Sequence, residues 1–142
     1  MRLTPDDARD RLAAQDHGIL ATVHATRGVD ALPCVFVVDD EGYVGIPVDR
    51  VKAKSSTRLQ RERNLEADPR AALLVEHWDP ADWSRLWWVR GELRWVPDPP
   101  ERRAAALSRL LAQRYPQYRD EPFATVIVLR LVAVSGWSAA DG

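Results

Sequence analysis

Between residues 19 and 48 the chain carries three apolar, β-branched stretches separated by turns too short to hold a helix. The strands expected over residues 19–25, 30–38 (DALPCVFVV) and 43–48 (YVGIPV) flank the turns Thr26-Arg27-Gly28 and Asp39-Asp40-Glu41-Gly42. Parallel neighbours need a crossover of about a dozen residues or more, so strands joined this tightly run antiparallel. Pro33 and Pro47 each remove a ladder donor inside these strands. Such positions belong to edges, bulges or barrel corners, or to places where something else approaches the backbone, and Gly45 points the same way.

The rest of the chain fits an α+β order. Thr4, Pro5, Asp6 and Asp7 read as cap and first turn of a helix ending near residues 15–18. A second helix is expected over residues 57–67, stopped by Asp68-Pro69, since the residue before proline avoids helical geometry. Residues 71–78 (AALLVEHW) read as a mostly buried strand. Residues 86–96 alternate Trp88, Arg90, Glu92 and Arg94 against Trp87, Val89, Gly91, Leu93 and Trp95, giving one apolar and one mixed face. Asp98 is the expected cap of a third helix ending before Pro116, and residues 123–134 (FATVIVLRLVAV) form the last strand. The sum is three helices and six strands, favouring an antiparallel α+β barrel over a parallel sheet.

Several functions are disfavoured by what the residues omit. A single cysteine, Cys34, leaves no internal disulfide framework, fits a reducing compartment and sits in an apolar strand, where thiols are usually inert. The N-terminus has no apolar signal core and no run reaches membrane-spanning length, so a cytoplasmic protein is expected. His17, His24 and His77 show no metal-ligand spacing, and there is no GxGxxG, Walker loop or nucleophile elbow. A net charge of −1 argues against a general nucleic-acid binder.

Against that background, the segment 50–63 holds six cations (Arg50, Lys52, Lys54, Arg58, Arg61, Arg63) and one acid, Glu62. Arg50, Lys52 and Lys54 alternate, so an extended loop would place them on one side, and Ser55, Ser56 and Thr57 follow at an expected helix start. A solvated basic face and a phosphate site both fit this pattern. Four of the six tryptophans lie between Trp78 and Trp88. Aromatic faces with a cationic loop suit a flavin-like cofactor, and they equally suit a nucleotide or a stacked single strand; each tryptophan alone also fits a core or an interface.

The order of elements, the segment KAKSSTRLQRERNLEADPRAALLVEH and the following DWSRLWWVRG resemble the pyridoxamine 5′-phosphate oxidase-like split β-barrel proteins. More narrowly, they resemble the actinobacterial branch that uses the deazaflavin coenzyme F420. The resemblance implies an α+β fold, a six-stranded antiparallel split β-barrel with flanking helices (the FMN-binding split barrel), as one cofactor-binding domain over residues 1–142. It implies a homodimer with cofactor at the subunit interface. By position, Lys52, Lys54, Ser55, Thr57 and Arg58 hold the phosphate, and Pro33, Val35 and Pro47 line the ring. Trp83 and Trp88 come from the partner chain, and Arg61 reaches farther negative groups. The implied activity is F420-dependent hydride transfer with a small organic substrate, with no catalytic side chain and no metal. An FMN-binding oxidase or flavin reductase is the alternative, as is a cofactor-binding or storage protein without turnover. The oligoglutamate tail of F420 would use cations beyond those one phosphate needs.

Overall fold

The structure, a computed structural model, describes residues 1–48, 59–119 and 125–140. Helix α1 spans Pro5–Ala14, where Thr4 accepts a hydrogen bond from the N–H of Asp7 at 3.2 Å. Its Ala8 and Leu12 reach the core. Strands β1 (His17–His24) and β2 (Gly28–Val35) form a hairpin whose turn is held by His24, because Nδ1 accepts from the N–H groups of Thr26 and Arg27 at 3.0 Å each. Gly28 closes that turn at φ +95°, a conformation side chains disfavour. Strands β3 (Val37–Val38) and β4 (Tyr43–Val48) follow, their turn built on Asp39, whose Oδ1 accepts from the N–H groups of Glu41 and Tyr43 at 2.9 Å each.

Helix α2 (Gln60–Ala67) leads into β5 (Arg70–His77), a 3-10 turn at Trp83–Arg85 and β6 (Trp87–Trp95). Helix α3 (Glu101–Arg114), a 3-10 turn at Pro116–Tyr118 and β7 (Thr125–Ser138) complete the order. All pairings are antiparallel, in the order β2-β1-β5-β6-β7-β4-β3. The sheet curls around Leu20, Phe36, Val44, Ile46, Leu73, Val89 and Leu129, with Leu12 and Leu65 plugging it from the helices. No described helix is long and apolar enough to cross a membrane.

The sheet has seven strands, not the six expected. The run over residues 30–38 does not stay one strand. It breaks at Phe36, pairing with β1 before the break and with β4 after it, so one chain segment occupies both ends of the strand order. Tyr115 makes this switch possible. Its hydroxyl lies 2.8 Å from the carbonyl of Phe36 and 2.5 Å from that of Asp16, and it accepts the N–H of Phe36 at 3.4 Å. Backbone groups that the ladder cannot serve are thereby satisfied.

Other expectations shift for local reasons. Helix α2 is capped at Leu59, not near residue 57; the Leu59 N–H donates to Glu62 Oε1 at 3.0 Å. The cap of α3 is Pro100 rather than Asp98, without a side-chain bond. Strand β5 is less buried than its composition implies, with Leu74, Glu76 and His77 exposed. Gly45 is required by packing rather than by a ligand: a Cβ there would meet Leu107 Cβ of α3 at 2.9 Å.

Candidate functional site

Beyond the pairs Val37–Gly45 and Val38–Val44, the two ends of the sheet part. The opening between β2 and β4 is a cleft of about 320 Å³. Pro33, Cys34 and Val35 form one lip and Ile46 and Pro47 the other, with His17, Arg61 and Tyr118 completing the lining. The two prolines bring no N–H to the opening, so its lips offer carbonyls and apolar surface.

Among the described residues, Arg61 is the cation lining this cleft. It projects from the first turn of α2 and donates from Nη2 to the carbonyl of Pro47 at 3.1 Å. Its Nε is buried with no hydrogen-bond partner among the described residues, a costly arrangement for a guanidinium donor.

The helix carrying Arg61 is fixed by a polar network. Asn64, almost fully buried, donates from Nδ2 to Thr22 Oγ1 at 2.9 Å and to Asp30 Oδ2 at 2.8 Å, and accepts from Gln60 Nε2 at 2.9 Å. Arg27 Nη2 binds both Asp30 oxygens at 2.9 Å. These bonds, Asn64 first, hold the Asp30 carboxyl below its ordinary range. The network ties α2 to β1 and β2, which sets Arg61 across the cleft.

Of the sequence-predicted residues, Pro33, Val35, Pro47 and Arg61 converge here. Lys52, Lys54, Ser55, Thr57 and Arg58 lie outside the described residues. Trp83 and Trp88 do not reach the cleft within one chain. Trp88 lies on β6, three strands from β2, beneath Arg90 at 5.7 Å, and Trp83, two-thirds exposed, leans on Trp78 at 6.1 Å between ring centroids.

Sequence reasoning missed His17 and Tyr118. A lone histidine before an apolar run carries no signal; the register that sets His17 opposite Val35 brings it to the cleft. Cys34 lines the cleft but is nearly buried, and burial pushes its thiol pKa up to about 11. It is therefore a protonated wall at neutral pH.

A larger cavity of about 500 Å³ lies between α2, α3 and β7. Among the described residues its charged lining is Glu62 and Glu101, with Leu65, Trp95, Pro99 and Val126 among the apolar walls.

The model of the pyridoxamine 5′-phosphate oxidase family matches residues 4–138. A search of curated proteins finds no match. Among solved structures, a FAD-binding protein from Mesorhizobium loti superposes with a TM-score of 0.71 at 15% identity, covering 96% of this chain and 95% of that one. The FAD-binding protein from Mycobacterium smegmatis gives 0.61 at 14% identity, covering 96% and 97%. The heme storage protein HutZ from Vibrio cholerae gives 0.59 at 18% identity, covering 94% and 91%.

Proposed function

Because the chain belongs to the pyridoxamine 5′-phosphate oxidase family, we propose that it is an oxidoreductase holding coenzyme F420, with the ring in the β2–β4 cleft. The observation that carries this reading is the convergence of Pro33, Val35, Pro47 and the Arg61 cation on one opening. The Arg61 guanidinium suits an acceptor edge on a flat ring, and lips without proline N–H groups accommodate such a ring. The phosphate and acidic tail fall to Lys52, Lys54, Ser55, Thr57 and Arg58, in the segment that precedes α2. When bound, F420 supplies two-electron hydride chemistry; the chain's own residues orient it and shield it from water.

The reading includes a homodimer. Val29 and Pro33 of β2, Ile19 of β1 and Leu74 of β5 share the outer face of the sheet, and all are exposed. Contiguous exposed apolar surface of this kind marks an interface. Pro33 belongs both to this face and to the cleft, and Trp88 lies on the same face by register. A second copy seated there would carry Trp88 and Trp83 towards the cleft of the first.

A second reading keeps the fold and the cleft but places a flavin in it. It is supported by the two FAD-binding proteins of similar fold. Titration of the purified protein with F420 and with FMN, followed by tryptophan quenching, separates the readings. Selective F420 binding is expected; preference for FMN moves the protein to the flavin reading, and binding of neither overturns both.

A further inference from the structure

We infer that the Asp16–His17 pair is a proton-handling element of the cleft, with His17 Nε2 as the atom that presents or takes the proton. The inference rests on the cofactor reading above. His17 opens β1 and lines the cleft beside Pro33, Cys34 and Val35. Its Nδ1 lies 2.6 Å from Asp16 Oδ1.

That contact fixes the tautomer. The hydrogen bond to His17 is the largest influence holding the Asp16 carboxyl below its ordinary range, with Arg114 adding to it. An ionised carboxylate only accepts, so Nδ1 carries the hydrogen and Nε2 is left free to exchange one. Asp16 is the positioning residue.

The pair is also anchored. Arg114 donates to the carbonyls of Ala13 and Ala14 at 2.8 and 2.7 Å, and the Tyr115 hydroxyl reaches the Asp16 carbonyl at 2.5 Å. The end of α3 thus clamps the segment that carries His17.

Among the other described cleft residues, burial holds the Cys34 thiol protonated and the prolines have no N–H, while the Tyr118 phenol is by nature a weaker acid than an imidazolium. With F420 bound, a hydride passed to an acceptor would form a C–H bond and leave an electron pair that needs one proton. His17 Nε2 would present that proton, and solvent would restore it at the exposed ring.

The test uses the full chain labelled with ¹⁵N-histidine. Wild-type protein, His17→Gln and Asp16→Asn are compared by NMR with and without oxidised F420, and affinity is read by tryptophan quenching. Oxidised F420 should shift the Nε2 resonance that His17→Gln removes. Asp16→Asn should change the tautomer signature of that ring, and an unchanged signature overturns the positioning role of Asp16. If F420 binds and the His17 resonances do not move, His17 is not in the site and the inference fails while the cofactor reading stands. Failure of wild-type protein to bind F420 overturns both.

Discussion

The two cavities flanking α2 differ in a way that size alone would misjudge. The larger, between α2, α3 and β7, has walls of tryptophan, proline and aliphatic side chains, and its charged groups among the described residues are two carboxylates. The smaller, at the split of the sheet, has open strand edges, a guanidinium anchored on the Pro47 carbonyl, and an imidazole. A flat ring bearing carbonyls and a negatively charged tail is repelled by the first and completed by the second. The charge and polar chemistry of the lining, more than volume, mark where a ligand belongs.

Substitutions can break or sharpen that contrast. Arg61→Ala should weaken F420 binding by about 10- to 100-fold, the loss of one charged hydrogen bond of about 1.5–3 kcal/mol. Tryptophan quenching reads it, and an unchanged Kd would detach the cleft from the cofactor. Asn64→Ala should cost about 2 kcal/mol of stability, because Thr22 and Asp30 lose their buried donor. It should weaken binding less than Arg61→Ala does, since it acts by loosening α2; urea midpoints and titrations on the same variant separate the two effects. Tyr115→Phe should lower stability by about 1 kcal/mol through the unmet backbone groups at Phe36, visible as a lower urea midpoint.

A smaller effect is expected with acid. Asp30 has a depressed pKa, so its bonds stabilise the fold above the ordinary carboxylate value and lose that contribution as pH falls through the folded value. Urea midpoints of wild-type protein should therefore drop from pH 5 towards pH 3 more steeply than those of Asp30→Asn. Equal slopes would remove Asp30 from the network. Glu101→Gln, in the larger cavity, should leave F420 affinity within about 2-fold, the size of an ordinary surface change.

How much of this was legible in the sequence depended on whether the cause was local. Turns, helix α1 and the first hairpin follow from residues a few positions apart and stand close to where the sequence places them, although α1 closes at Ala14 and β1 opens at His17, each earlier than expected. The break at Phe36 was invisible because DALPCVFVV is a continuous β-branched run, and only tertiary pairing decides that its two halves serve opposite sheet ends. Pro33 and Pro47 could be read because a missing N–H is a property of the residue itself. Gly45 pointed to a close approach to the backbone but not to what approaches: the group is Leu107, more than sixty positions away. His17 gave no signal, since its place in the cleft comes from pairing with Val35 and from the clamp of Arg114 and Tyr115.

The most direct test of the cleft assignment is a crystal structure of the protein with F420. The ring is expected between the lips of β2 and β4, with an acceptor within hydrogen-bond distance of the Arg61 guanidinium. A ring seated instead in the cavity between α2 and α3, or one making no contact with Arg61, would contradict the assignment.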